Sequence, residues 1–281
     1  MVKYRALAVP AKYWMPGDNY LEAIIEGVNG KITNGDFLVI SDKAISTARN
    51  NIVDENLIVP SISAKLIAKY WMRIVWGYFA GVLCHFQEKS LRYLRRYPSI
   101  AGNRHKQVAL ERAGVLQALL FGSEGGIDGS NLAYACVSLP LSNAYDLAEE
   151  VRKRIQVTLG KSVFVMIVDS DKTYRFRNFF FTPRPNPIQG IHSFGGFFSY
   201  ILGSMFKLTK YPTPIALSGC KVCVNEALRI AKLADHVRGF GSGKTVWDMA
   251  EKFKVNLTDV SWEMLQTVKH KPIVIVRNSR R

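Results

Sequence analysis

The chain has 281 residues, 48% hydrophobic and 21% charged. That length carries one or two domains with a sizeable core, and the composition excludes wholesale disorder, a collagen-like chain and a disulfide scaffold. Lys and Arg number 38 against 22 Asp and Glu, a formal net charge of +16, so polyanions or an anionic surface are expected among its partners.

The four cysteines, Cys84, Cys136, Cys220 and Cys223, are too sparse for a stapled secreted fold. Cys220 and Cys223 form a lone C-x-x-C. A zinc ribbon needs a second such pair or two histidines at ligand spacing, and neither is present. Alternation over Cys220–Val224 reads as strand, with a redox or metal role as the alternative. Met1 to Trp14 holds no apolar core of signal-peptide length. The apolar run Ile74 to Phe86 falls short of the roughly twenty residues a span needs. Pro185 to Phe206 lacks charge but carries four glycines and two prolines. No membrane span is expected, and a soluble cytoplasmic protein is the default reading.

In chain order, Asn34-Gly35-Asp36 is a turn signal feeding a buried strand, Phe37 to Ile40. Pro60-Ser61 opens a helical stretch toward Arg96, read as two helices with Ser61 as N-cap. It ends in Arg92, Tyr93, Arg95, Arg96 and Tyr97. Such a mixture could stack on and neutralise nucleic acid, or it could be a helix end whose long side chains cover the core. Val115 to Phe121 reads as a strand, followed by a glycine-rich loop from Gly122 to Asn131 and a second strand, Leu132 to Leu139.

Ser142 or Asn143 can cap the next helix. Leu147, Val151, Ile155 and Leu159 recur every four residues, and Gly160 terminates it. Val163 to Val168 is a buried strand closing on Asp169-Ser170-Asp171, a common place for chemistry in sheets flanked by helices. The Pro-rich stretch 182–190 is the best internal hinge, and the Gly/Phe-rich segment beyond it has no clear assignment. A helix from about Asn225 to His236, a loop from Arg238 to Lys244 and a strand Ile273 to Val276 complete the chain before a basic tail, Arg277 to Arg281. No internal repeat is present.

Two acidic loops could do chemistry. Asp128 is bracketed by glycines, and Asp169 and Asp171 follow a strand. Hard cations such as Mg²⁺ or Mn²⁺ take carboxylate oxygens, waters and substrate phosphates. The plainer reading is that each Asp caps a turn. Gly239 to Thr245 resembles a phosphate loop, but Arg238 stands where a Walker A motif requires glycine. A looser glycine loop, Gly239, Gly241 and Gly243 with Arg238 and Lys244, could still cradle phosphate through backbone N–H groups, or serve as a connector.

The order of these pieces resembles the coenzyme F420-0:gamma-glutamyl ligase family. Gly126-Ile127-Asp128-Gly129-Ser130-Asn131 is close to its "AGIDxSN" signature and carries most of the likeness. Val9-Pro10 with Pro16-Gly17-Asp18 resembles its opening loop. Gly35 to Ile40 with Lys43 and Ser46 resembles its first strand and turn, and Pro60-Ser61 its helix start. Val165 to Ser170 resembles "VIISDT/S", Val224-Asn225-Glu226 resembles "ADE", and Pro272 to Arg277 resembles "PVVVVRG".

The resemblance implies a mixed α/β (α+β) fold, a mixed sheet flanked by helices. The chain reads as one domain over 1–281, with a hinge between two subdomains near 182–190. The implied reaction is amide ligation: GTP phosphorylates a substrate carboxylate and L-glutamate attacks the acyl phosphate, aided by divalent metal, Mg or Mn. Carried over by position, Asp128 and Asp169 would bind one metal and Ser170 another. Lys43 and Asn131 would contact the nucleotide, as would the loop of Gly239, Gly241 and Gly243. The implied partners are L-glutamate, an anionic carboxylate substrate of the coenzyme F420-0 type and a second copy in a homodimer.

The departures fall on the acceptor side. Asp171 to Arg177 replaces the family's "FGRPWR"-type stretch, Ser193 to Lys207 is nearly free of charge where the family carries Arg and Asp, and Asn225 replaces an aspartate. A non-catalytic homologue that binds nucleotide or nucleic acid through its basic surface is the alternative. Membrane-surface association through the Phe-rich segment is a third reading.

Overall fold

The computed structural model describes residues 3–122 and 124–279. Ser123 of the glycine-rich loop and Arg280 and Arg281 of the basic tail lie outside the described residues.

Apolar side chains alternate across the central strands. Leu38, Ile40, Val165, Ile167, Ile273 and Ile275 face one layer. Val39, Met166, Val168, Val274 and Val276 face the other. Both faces of the sheet must therefore be covered. The helices Tyr20–Val28 and Ala144–Leu159 cover the first through Ile24, Val28, Leu147, Val151 and Ile155. The helix Val224–Arg238 covers the second through Leu228, Ile230 and Ala231. Each such aliphatic side chain stabilises the fold by about 1.5–3 kcal/mol when fully buried.

The strands are β1 (Tyr4–Ala11), β2 (Phe37–Ser41), β3 (Ile52–Asp54), β4 (Cys136–Ser138), β5 (Phe164–Phe176), β6 (Phe179–Thr182), β7 (His192–Ser193), β8 (Thr209–Ser218) and β9 (His270–Asn278). The large sheet runs β1-β9-β2-β5-β6-β7, with β8 also paired to β5. β2 and β5 are parallel, and β9 runs antiparallel to both β1 and β2. The fold is thus mixed α/β, a mixed sheet flanked by helices. β3 and β4 form a separate small antiparallel pair.

A helical layer packs to one side. Ser61 caps it, its Oγ accepting from Ala64 N at 3.3 Å. One helical stretch then runs through residues 62–83, with its middle, Ile67–Ala80, in π-helical form. That run is much longer than the single-turn π-bulges usual in proteins. Ala68, Met72, Trp76 and Ala80 face inward against Leu94, Tyr97 and Leu120. Trp71 and Trp76 both donate to the Leu119 carbonyl, at 2.9 and 2.7 Å. The basic-aromatic end of the next helix, Glu88–Arg95, is packed: Arg95 donates to Gly77 O at 3.0 Å, Tyr93 stacks on Trp247, and Tyr97 is buried. No helix among the described residues is long and apolar enough to cross a membrane.

Four expectations change. Val115 to Phe121 is not a strand: Gly114, at φ 94°, ends the preceding helix, and Val115–Ala118 winds into a short helix with local N–H···O bonds. Only Cys136–Ser138 of the 132–139 run is strand, because Asn131 and Tyr134 adopt positive φ and break the extended backbone. The strand from Phe164 does not stop at its acids. It continues to Phe176, with a register shift against β8 between Asp169 and Lys172. Cys220 to Cys223 is not a strand either: Gly219, at φ 90°, follows β8, and Cys223 is the N-cap of the next helix. The four cysteines are free thiols.

Candidate functional site

Parallel pairing sets the first element of the site. Ser41 lies opposite Val168, so the residues that follow, Asp42 and Asp169, emerge side by side. Both are buried. Arg184 bridges them, its Nε 2.5 Å from Asp169 Oδ2 and its Nη2 3.2 Å from Asp42 Oδ2. The guanidinium is itself 2% exposed. Burial and the neighbouring Asp169 charge push the Asp42 carboxyl up to about 7, against the pull of Arg184 and Lys43. Asp42 Oδ1 is buried without a hydrogen-bond partner.

The Asp128 loop is the second element. An isolated bridge joins Asp128 to Ser138, with Ser138 N donating to Asp128 O at 3.0 Å. Asp128 Oδ1 accepts from Ser130 N at 2.7 Å, a local turn of the kind Asp favours. Lys43 Nζ lies 2.5 Å from Asp128 Oδ2 and donates to Ser130 O and Oγ at 2.8 and 2.7 Å. Gly126, at φ 99°, has to be glycine here. A Cβ would lie 2.6 Å from Arg184 Cζ, so the bare backbone lets the loop close on the guanidinium.

Asn131 is the third element and joins the two glycine loops. Its Oδ1 accepts from Ser242 N and Oγ, both at 2.6 Å, and its Nδ2 donates to Gly243 O at 3.1 Å. Gly241 sits against it, where a Cβ would be 2.5 Å from Oδ1. Tyr13 OH donates to Asn131 O. Contacts thus unite Lys43 with Asp128, and Asn131 with Gly241 and Gly243. Asp169 belongs to the Arg184 cluster, which abuts Gly126. Gly239, at φ 74°, closes the helix before the loop. Ser170 has its side chain exposed, and its carbonyl accepts from Lys172 at 2.8 Å.

A buried charge cluster braces the Asp128 loop from behind. His105 Nδ1 is 2.7 Å from Glu55 Oε1, and its Nε2 is 2.9 Å from Glu124 Oε2. Lys106 Nζ, fully buried, reaches Glu124 Oε1 at 2.6 Å. Burial alone would lower the His105 pKa, but Glu124 and Glu55 outweigh it and raise it to about 10. Glu124 N in turn donates to Ile127 O at 3.3 Å.

Sequence reasoning missed Asp42, Arg184 and the His105 cluster. The available signals were slight: an acid beside Lys43 at a strand end, and a lone Arg between prolines 183 and 185.

A hard divalent cation would be drawn to carboxylates, and here Lys43 and Arg184 already neutralise Asp128 and Asp169. Such ions take one or two carboxylates, the remainder of the shell being water and phosphate oxygen. Asp42 Oδ1 is an unengaged carboxylate oxygen beside Asp169. Among the described residues no three His, Cys, Asp or Glu side chains gather around one point, so the protein would supply no more than two of these groups per ion.

The mixed sheet with buried acids after a parallel strand pair, faced by two interlocked glycine loops, defines an α/β protein with a polar site at the strand ends. The chain belongs to the F420-0:gamma-glutamyl ligase family, whose sequence profile matches residues 9–245. A similar protein of Methanocaldococcus jannaschii, itself uncharacterized, is 36% identical over 288 aligned residues, covering 97% of this chain and 96% of its own. Membership of this family supports a ligase-like function.

Proposed function

We propose that this protein is a GTP- and divalent-metal-dependent amide ligase that adds L-glutamate to an anionic carboxylate substrate of the coenzyme F420-0 type. The observation that carries the reading is the clasp of Asn131 on the Ser242-Gly243 backbone, beside an Asp128 held by Lys43. Backbone N–H groups of a glycine loop and a lysine are the parts that hold a nucleotide's phosphates. The reading also takes the enzyme to be a cytoplasmic homodimer.

In this reading the substrate carboxylate oxygen attacks the γ-phosphorus and GDP leaves. The glutamate nitrogen then attacks the acyl carbon, phosphate departs, and the nitrogen loses a proton to leave an amide. Lys43 and Arg184 offset negative charge as the phosphoryl group moves. Asn131 fixes the conformation of the Gly239–Gly243 loop, which would lie against the phosphates. Asp128 and Asp169 would hold one cation, with Asp42 beside them, and Ser170 would contribute to a second. The bound cations supply charge neutralisation at the triphosphate.

Calorimetric titration of GTP with Mn²⁺, in wild type and Asp128→Asn, tests this. Wild type is expected to bind only with the metal, and the variant to lose about tenfold or more in affinity. Identical titrations would remove the metal assignment. GTP binding without glutamate-dependent phosphate release would identify a non-catalytic homologue.

A further inference from the structure

A cleft lies beside the Gly239–Gly243 loop. Its volume is about 480 Å³, and its walls include Arg238, Gly241, Lys252, Phe253, Lys269 and Lys271. Small-ligand pockets commonly span about 300–1,000 Å³. Four of these walls, Lys252, Phe253, Lys269 and Lys271, lie beyond Thr245, where the family match ends.

The charge there is one-sided. Arg238 is bridged to Asp235 at 2.7 Å. Lys252, Lys269 and Lys271 have no ion-pair partner among the described residues, and Lys252 Nζ only donates to Gly241 O at 3.3 Å. The nearby acids of the helix Val246–Phe253 are committed elsewhere: Lys89 reaches Asp248 at 3.2 Å and Glu251 at 2.8 Å. Lys269 and Lys271 line the cleft, while His270 between them packs on the Tyr13 and Trp14 rings. Burial and then the Arg238 charge push His270 down to about 4, so it stays neutral.

We propose that this cleft binds the phosphate groups of a phosphorylated small molecule, with Lys252, Lys269, Lys271 and Arg238 as its donors. Ammonium and guanidinium groups make charge-assisted hydrogen bonds to phosphate oxygens, and a concave wall concentrates their field. The open cleft, about 480 Å³, is of a size that takes a small molecule. The site shares Gly241 with the Asn131 clasp, so an occupant would sit against the candidate nucleotide loop. Phosphate binding in the cleft stands without the ligase reading, and the choice of its source rests on that reading. Two sources of phosphate are possible, the nucleotide or a phosphate-bearing acceptor.

Inorganic pyrophosphate, titrated calorimetrically into the metal-free full chain at fixed ionic strength, tests the cleft. Wild type is expected to bind it saturably. Lys269→Gln/Lys271→Gln is expected to bind about tenfold or more weakly, and Lys221→Gln, at an exposed position outside both sites, to bind as wild type does. Lys252→Gln, at an exposed position, repeats the test should the double variant fold poorly. A parallel GTP titration separates the sources. Equal loss of GTP and pyrophosphate affinity assigns the phosphate to the nucleotide, and loss of pyrophosphate alone assigns it to the acceptor. Equal pyrophosphate binding by wild type and the lysine variants, or no saturable binding by wild type, would overturn the proposal. Neither result bears on metal-dependent GTP binding at Asp128.

Discussion

Asp42 and Lys43 are consecutive residues that reach into different parts of the site. Asp42 takes Arg184 at 3.2 Å, and Lys43 takes Asp128 at 2.5 Å. The start of the helix Asp42–Ala48 therefore ties the strand-end acids to the glycine-bracketed loop. A shift of that helix would disturb both.

Arg184 is the residue on which the buried acids depend. Replacing it by Leu leaves Asp42 and Asp169 buried without their counter-charge. Breaking a buried pair from one side costs about 3–5 kcal/mol. Arg184→Leu is expected to lower stability by that order in urea unfolding, and Asp42→Asn added to it to recover part of the loss. A single-variant loss under about 1 kcal/mol would mean the acids do not need the guanidinium.

The His105 cluster predicts a pH dependence. The folded pKa, about 10, stands above the ordinary value of about 6.5. The folded state therefore holds the proton more tightly. The stabilisation from His105 is complete below about pH 6.5 and is lost as pH rises through about 10. The stability difference between wild type and His105→Gln should shrink over that interval. Lys106, its pKa lowered by burial, titrates in the opposite sense and shares Glu124 with His105. A difference that is flat from pH 6 to 10 would contradict the ion-pair cluster.

Gly241 tests the clasp. It holds φ 60°, and a Cβ there would come 2.5 Å from Asn131 Oδ1. Gly241→Ala is expected to push the loop off Asn131, at a cost of about 1–2 kcal/mol. The readouts are faster proteolysis between Gly239 and Lys244 and weaker GTP binding. Asn131→Ala, which removes three hydrogen bonds from the same loop, should reproduce both effects. An unchanged cleavage rate in both variants would show that the loop is held by other contacts.

The amino-acid sequence alone determined much of this protein. Leu147, Val151 and Ile155 set the helix Ala144–Leu159 and its buried face, and Gly160, at φ 66°, ends it as expected. Ser61 marks a helix start, and the apolar run from Val163 marks the central strand. The Asp128 motif located the loop on which the site is built. These features are local: caps, periodicity and turn chemistry act over a few residues, so they show in the chain itself. Tertiary structure decided what could not be read that way. Arg184 reaches Asp42 across 142 positions of chain, and Asn131 meets Ser242 across 111. The cationic cleft needs Arg238 and Lys271 folded to one place. Such pairings are set by strand register and layer packing, and no short window of sequence encodes them.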